Sequence, residues 1–161
     1  MSKRPKVALC YPNFSWLNSD DALSWHMQPH TLCILAATIR DICDVEILEV
    51  NREGYSVDDF VKQIDDGRYD LVGISVLLDF FSITAHEMLR KVKEVNPATV
   101  TLMGGVHPTM NAENAMENPM LDFACIGEGE EVFPDLIRYL FYGGKMPSAG
   151  FAYRENGKVV L

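Results

Sequence analysis

Two glycine-containing segments are best suited to bring the backbone of this chain close to a ligand. Gly104-Gly105 follows an apolar, strand-like run and lacks the two Cβ atoms that would keep a bulky molecule away from the main chain. Gly127-Glu128-Gly129 opens a helical pattern, where free backbone N–H groups can bind a phosphate or an amide oxygen. Taken alone, each segment is better explained as an ordinary strand-to-helix turn.

Other types of site have weaker support in the sequence. Neither glycine segment is a GxGxxG or a Walker sequence, so a dinucleotide or a nucleoside triphosphate is not favoured. The acidic residues Glu128, Glu130 and Glu131 are also explained as carboxylates that stabilise the first turn of a helix. Ser/His/Asp and Cys/His sets are absent, so the sequence indicates neither a catalytic residue nor a metal ligand.

The elements that must position these segments follow from an alternation of short apolar runs with helical patterns. Five strands alternating with helices predict an α/β fold, a doubly wound (Rossmann-like or flavodoxin-like) five-stranded parallel sheet of order 2-1-3-4-5. In such a sheet, ligands bind beyond the carboxyl ends of the strands. Strands are predicted over residues 6–10, 45–50, 70–76, 99–103 and 122–126, the second of them at an edge.

The helical segments carry their own start and stop signals. Ser56 and Asp59 have the spacing of a capping box in front of the apolar positions Phe60 and Ile64. Gly143-Gly144 is expected to end the last helix. The helix predicted over residues 31–39 is apolar nearly all round, so we expect a second domain or a second copy of the chain to cover it.

Length and composition exclude several classes of protein. The chain has 161 residues with a formal net charge of −9, which suits one soluble domain and disfavours a nucleic-acid partner. No apolar run is long enough for a membrane span, and no secretion signal is present. The four cysteines stand far apart, as expected of buried thiols in a cytoplasmic protein.

The C-terminal residues favour a piece of a longer protein. Residues 150–160 predict a small hairpin that turns at Asn156-Gly157. We expect a domain over residues 1–148, followed at 149–161 by the hairpin and the start of a linker.

The strand-end segments, taken in order, resemble a known family. Ser75-Val76-Leu77 and Gly104-Gly105, separated by residues 78–103, resemble half of the cobalamin-binding fingerprint of methionine synthase and corrinoid proteins. Gly104-Gly105-Val106-His107-Pro108-Thr109 with Gly127-Glu128-Gly129-Glu130 looks more specifically like the N-terminal domain of cobalamin-dependent radical S-adenosylmethionine enzymes. The resemblance covers about residues 6–160.

This resemblance implies cobalamin as the cofactor and assigns roles to these residues. Ser75 would donate a hydrogen bond to the nucleotide tail, Leu77 would give an apolar wall, and Gly104-Gly105 would leave space for the tail. Thr109 and the amides from Gly127 to Glu130 would meet the tail's phosphate and ribose. The corrin ring would lie over loops that carry Tyr11-Pro12-Asn13 and Val76. The segment Val106-His107-Pro108 completes the predicted cofactor-binding set.

One part of the methionine-synthase pattern is missing. That family supplies the lower cobalt ligand from D-x-H-x-x-G, and none of the four histidines has Asp two residues before it. His30 lies near the expected place, but Gln28 and Cys33 stand where Asp and Gly belong. His30 is thus a weak candidate for an axial ligand, and the radical family often lacks one.

The leading hypothesis is therefore a cobalamin-binding domain of a radical S-adenosylmethionine methyltransferase or cyclase. The chain has no CxxxCxxC for an iron-sulfur cluster, so it could not perform the reaction alone, and its partner would be a radical domain of the same polypeptide. Two alternatives stay open: a free-standing corrinoid carrier or sensor, and a flavodoxin-like nucleotide-binding module. A homo-oligomer is a further expectation for the isolated domain.

Overall fold

The computed structural model describes residues 4–16 and 28–161 and contains one mixed β-sheet. Its strand order is β2-β1-β3-β4-β5-β6-β7, with the first five strands parallel and the last two antiparallel. The predicted order 2-1-3-4-5 and the edge position of β2 are confirmed. The strands are β1 (Lys6–Cys10), β2 (Asp44–Ile47), β3 (Leu71–Ser75), β4 (Val100–Gly104), β5 (Phe123–Cys125), β6 (Phe151–Glu155) and β7 (Lys158–Val160).

The prediction of a five-stranded, all-parallel sheet is wrong. The hairpin turns where predicted, with positive φ at Asn156 and Gly157, but it does not stand apart from the sheet. β6 instead pairs antiparallel with β5, from Phe123 opposite Tyr153 to Cys125 opposite Phe151. This pairing satisfies the backbone groups along the edge of β5 and extends the sheet to seven strands in the described residues.

Helices cover both faces of the sheet in the described residues. The capping box of α2 is formed as predicted: the Asp59 N–H donates to the Ser56 hydroxyl, and the Ser56 N–H donates to the Asp59 carboxylate. Gly143, with φ of 71°, ends α6 as predicted. The helices are α1 (His30–Ile39), α2 (Val57–Gly67), α3 (Ser82–Val95, preceded by a 3-10 turn at Asp79–Phe81), α4 (Val106–Met110), α5 (Ala112–Ala115) and α6 (Gly129–Tyr142).

The sheet separates two apolar cores. On one face, strand residues such as Leu9 and Leu102 pack with Leu32 of α1 and Phe133 of α6. On the other face, α2 and α3 contribute residues that include Phe60, Ile64, Met88 and Val92. All five residues of β3 are buried, as expected for a central parallel strand covered on both sides.

The outer face of α1 is not covered by the described residues. Leu32 and Ile39 are its buried residues, whereas Cys33 and Ala37 are exposed and Ile34 is 54% exposed. The apolar outer face predicted for this helix is thus observed. None of the helices in residues 4–16 and 28–161 combines the length and the apolar character that crossing a bilayer demands.

Candidate functional site

A cavity of about 390 Å³ lies beyond the carboxyl ends of β3 and β4, under α1 and the start of α6. Parallel strands bring the loops that follow them to this one edge, which is where the sequence predicted a site. The predicted site residues that line the cavity are Ser75, Leu77, Gly104, Gly105, Val106, Thr109, Gly127, Glu128, Gly129 and Glu130.

The floor of the cavity is made by positions on β3 and β4 that have little or no side chain. Gly73 is paired between Leu9 and Leu102, and one step further along the same face Ser75 is paired with Gly104. A Cβ atom at Gly73 would lie 2.9 Å from Cδ2 of Leu9. The Leu9 side chain therefore reaches over Gly73, and the small residues Gly73, Ser75 and Gly104 line a slot that opens at the strand ends.

Gly104, at the end of β4, and Gly105, in the loop that follows, have different structural roles. A Cβ atom at Gly104 would meet only Cβ of Cys125, at 3.7 Å, which is an ordinary contact. Gly105 has φ of 95°, and a Cβ atom there would lie 2.6 Å from the carbonyl oxygen of Val76. Gly105 is therefore required by the backbone, whereas Gly104 keeps space free beside the cavity.

The Thr109 hydroxyl joins the loops that follow β4 and β5. It donates to the carbonyl of Gly105 at 2.8 Å and accepts from the N–H of Gly127 at 3.0 Å. Thr109 thus fixes the relative position of two glycine segments at the mouth of the cavity. Its donor is engaged, which leaves acceptor capacity for a ligand.

Acidic groups and a neutral thiol stand at the α6 side of the cavity. Burial, and to a smaller extent the carboxylates of Glu130 and Glu128, raises the pKa of the Cys125 thiol from 9.0 to about 12. The thiol is therefore protonated at neutral pH and offers an uncharged wall. The carboxylates make this end of the site better suited to hydroxyl or amide donors than to a phosphate.

The predicted residues that follow β1 lie beside the cavity. Tyr11 and Pro12 line a narrow adjacent crevice together with Ser75 and Leu77. Asn13 is buried, and its amide donates to the carbonyl of Val50 at 2.5 Å while its oxygen accepts from the Ser15 and Trp16 N–H groups. Its side chain therefore shapes the loop.

Three more predicted residues are buried behind the glycine segment. The carbonyl of Val76 accepts from the His107 N–H at 3.1 Å, which ties the β3 end to α4, and Pro108 is buried in that helix. The His107 imidazole does not line the cavity and donates from Nδ1 to the carboxylate of Asp79. His86 lies next to it, and burial, with a smaller effect of His107, lowers the pKa of His86.

Several cavity residues were not predicted from the sequence. Gly73 had a usable signal, because a glycine inside a buried strand often marks a close approach by another group. The α1 and α6 residues gave no such signal, since apolar residues on a helix face are equally expected in a core. The residues missed are Leu9, Thr31, Leu32, Leu35, Gly73, Ile74, Leu102, Met110, Cys125 and Phe133.

The question of a cobalt ligand from this chain concerns His30. His30 is exposed at the first turn of α1 and does not line the cavity. Across the part of the chain that the structure describes, no cluster of three or more His, Cys, Asp or Glu residues could hold a metal ion.

Comparison with known proteins assigns the chain to a family. A family model described as "B12 binding domain" matches residues 25–137, more than half of the chain. The chain belongs to the B12-binding domain family. The resemblance that the strand-end segments indicated is thereby confirmed, and its finer match to radical S-adenosylmethionine enzymes agrees with individual relatives.

This B12-binding domain is similar to parts of larger enzymes. It is 33% identical over 133 residues to an uncharacterized methyltransferase, PH0819, of Pyrococcus horikoshii, covering 81% of this chain and 29% of that protein. It is 29% identical over 163 residues to an anaerobic magnesium-protoporphyrin IX monomethyl ester cyclase of Rubrivivax gelatinosus, covering 96% of this chain and 29% of that protein. The chain thus spans under a third of the length of these two relatives.

A solved structure shares the fold. The cobalamin-dependent S-adenosylmethionine radical enzyme OxsB, solved with aqua-cobalamin and S-adenosylmethionine bound, superposes with a TM-score of 0.77 at 24% identity. The match covers 97% of this chain and 22% of that one. In this B12-binding domain, Gly73, Ser75 and Gly104 line the cavity at the strand ends together with apolar residues of α1 and α6.

Proposed function

We propose that this domain binds cobalamin with the nucleotide tail in the cavity between the sheet and helices α1 and α6. The observation that carries this proposal is the slot at Gly73, Ser75 and Gly104, which large residues border on both sides. The cavity is lined by strand-end residues and by core residues such as Leu9 and Phe133, so a group that enters at the strand ends would reach that core.

The polar and the apolar residues that line the cavity would contact different parts of the cofactor. Ser75, only 5% exposed, would donate its hydroxyl to a ring nitrogen of the tail, and Leu35, Leu102 and Phe133 would form apolar walls. Glu128 and Glu130 would accept hydrogen bonds from ribose hydroxyls at the mouth. Cobalamin, when bound, supplies a cobalt centre that can carry a methyl group.

The predicted site residues that do not line the cavity would act from outside it. Tyr11 and Pro12 would support the ring of the cofactor from the neighbouring crevice. Asn13 and Val76 would hold the loops that carry the lining residues, through hydrogen bonds to Val50 and His107. His30 does not line the cavity, and no role at the cobalt is assigned to it.

We propose further that the domain works within a longer radical S-adenosylmethionine enzyme, a methyltransferase or a cyclase. Relatives that are more than three times as long as the matched region support this, since the domain accounts for 29% of each. The exposed apolar face of α1, with Ile34 at its centre, would contact the additional domain. The encoding reading frame should then continue beyond residue 161 into a CxxxCxxC motif.

The binding proposal is tested by titrating the purified domain with hydroxocobalamin and recording the visible spectrum. We expect saturable uptake, co-elution of the colour with the protein, and a base-off spectrum, because the slot would hold the benzimidazole away from cobalt. Failure of the cofactor to co-elute, with an unchanged spectrum, would overturn the proposal. A reading frame that ends at residue 161 while binding persists would favour a free-standing carrier or sensor.

A further inference from the structure

An exposed carboxylate and a buried imidazole form a hydrogen-bonded pair beyond the carboxyl ends of β3 and β4. The Asp79 side chain, in the 3-10 turn before α3, is 84% exposed, whereas the His107 side chain in α4 is 2% exposed. His107 Nδ1 donates a hydrogen bond to Oδ1 of Asp79. The pair joins the loop that follows β3 to the loop that follows β4.

The imidazole is buried with one nitrogen unsatisfied. Among the described residues, His107 Nε2 has no hydrogen-bond partner. The neighbouring His86 ring lies 6.3 Å away between centroids, and its own Nδ1 is paired with the amide of Asn118 at 2.9 Å. Burying a polar atom without a partner opposes folding. In the described residues, the side-chain hydrogen bond that His107 makes is the one to Asp79, and this bond restricts the direction of the exposed carboxylate.

The loops that carry the pair also carry exposed apolar residues. An exposed aspartate normally needs no partner, because water solvates it. Among the residues that the structure describes, no donor is paired with the second oxygen of Asp79, and exposed apolar residues stand on both sides of Asp79 in the chain. The exposed apolar residues of the loops after β3 and β4 are Leu78 at 44%, Phe80 at 59%, Ile83 at 61%, Val106 at 54% and Met110 at 79%.

A ligand that fits such a surface is a broad apolar ring with N–H donors at its edge. The corrin macrocycle has this chemistry, since its periphery carries carboxamide side chains. We infer that Asp79 accepts a hydrogen bond from a corrin side-chain carboxamide and that His107 is the positioning residue that orients it. This inference rests on the proposed function, because it takes the corrin ring to lie over these loops.

The test compares two probes that differ only in the nucleotide tail, hydroxocobalamin and diaquacobinamide. In Asp79→Asn, the amide oxygen can still accept from His107, but the free atom becomes an N–H donor that faces another donor. We expect about tenfold weaker binding of both probes and a changed visible circular dichroism of the bound corrin. Asp135→Asn, an exposed carboxylate on α6, is the control for the lost charge.

His107 is tested by two amides that place the donor differently. The amide N–H of Asn lies near the position of Nδ1, whereas that of Gln lies near the position of Nε2. His107→Asn should therefore keep most of the binding that His107→Gln loses. The unfolding midpoints of the two ligand-free variants should be similar. Equal binding of both probes by Asp79→Asn and wild type would overturn the role of Asp79, and equal binding by the two His107 variants would overturn that of His107. A wild-type domain that binds neither probe would instead contradict the proposed function itself.

Discussion

Ser75 and Gly104 stand opposite each other in the parallel pairing of β3 and β4, and both line the same cavity. One offers a small hydroxyl and the other no side chain at all, at the point where the two central strands end. Neighbouring positions on the same face carry leucines, so the slot results from a local loss of side-chain volume and not from strands that separate. This relationship sets the most direct test of the site.

Gly104→Val should weaken cobalamin binding without unfolding the domain. A Cβ atom at this position meets no closer atom than Cβ of Cys125, at 3.7 Å, and valine suits a strand. Its methyl groups would occupy the slot, and overpacking of about 1–3 kcal/mol corresponds to roughly tenfold to hundredfold weaker binding. The measurement is a spectral titration with hydroxocobalamin, alongside a urea unfolding curve.

The matched control for this variant is Ala98→Val, which adds the same side chain at an exposed turn before β4. This turn lies at the amino end of the strand, whereas the cavity lies at the carboxyl end. It should bind as wild type does. Undiminished binding by Gly104→Val would show that the tail does not pass this residue.

Gly105→Ala should destabilise the fold itself. Its φ of 95° is unfavourable for alanine, and the new Cβ atom would lie 2.6 Å from a backbone oxygen that cannot rotate away. We expect a loss of about 2–4 kcal/mol in the free energy of unfolding, measured with urea. Gly127→Ala is the comparison, because φ there is 82° but nothing lies within 4 Å of the added atom. If the two variants lose the same stability, the contact with Val76 has no effect of its own.

Much of the fold followed from local patterns, and the errors came from long-range contacts. The apolar runs predicted the five parallel strands, because a strand that is covered by helices is rich in apolar residues and can be recognised from its own sequence. The hairpin at Asn156-Gly157 was also visible, since its turn chemistry is local. The strand with which the hairpin pairs could not be predicted from the sequence. Pairing of β6 with β5 depends on which strand edge is free in the assembled sheet.

In the site, too, local sequence patterns predicted some features and long-range contacts determined the others. The glycines at the strand ends were found because turns at parallel strand ends have recognisable residues, and they do line one cavity. The direction of a side chain in a loop is not fixed by spacing. Asn13 and His107, for example, stay predicted cofactor-binding residues, and spacing did not reveal that their side chains pair with Val50 and Asp79.

Arg154 is predicted to hold the C-terminal hairpin in the domain. Its guanidinium donates to the carbonyls of Leu121 at 2.6 Å, Asn118 at 2.9 Å and Met116, all in the segment before β5. Arg154→Ala would leave these partly buried acceptors without a donor, and we expect a loss of about 2–4 kcal/mol in urea unfolding.

Lysine at this position should rescue little, because it lacks the planar fork that reaches several carbonyls. Arg138→Ala is the control: that side chain makes an exposed ion pair with Asp135 on α6 and should change stability by less than about 1 kcal/mol. Equal losses in the two alanine variants would contradict an anchoring role for Arg154.

The stability of the domain should fall as the pH rises above about 9. Burial raises the pKa of the Cys10 thiol from 9.0 to about 12 in the folded chain. Between these two values the unfolded chain releases the thiol proton while the folded chain keeps it. The contribution to stability is therefore complete below pH 9 and is lost as the pH approaches 12. Urea unfolding at a series of pH values from about 7, below this window, to about 11, inside it, measures the slope.

Cys10→Ala should flatten this slope, although it lowers stability at every pH by removing buried volume. Cys43 and Cys125 are also shifted upward by burial, to about 11 and about 12, so part of the slope should remain. The control is Cys33→Ser, since Cys33 is exposed on α1 and makes no buried thiol. If the slope of Cys10→Ala matches that of Cys33→Ser, the alkaline loss of stability does not come from the buried thiol of β1.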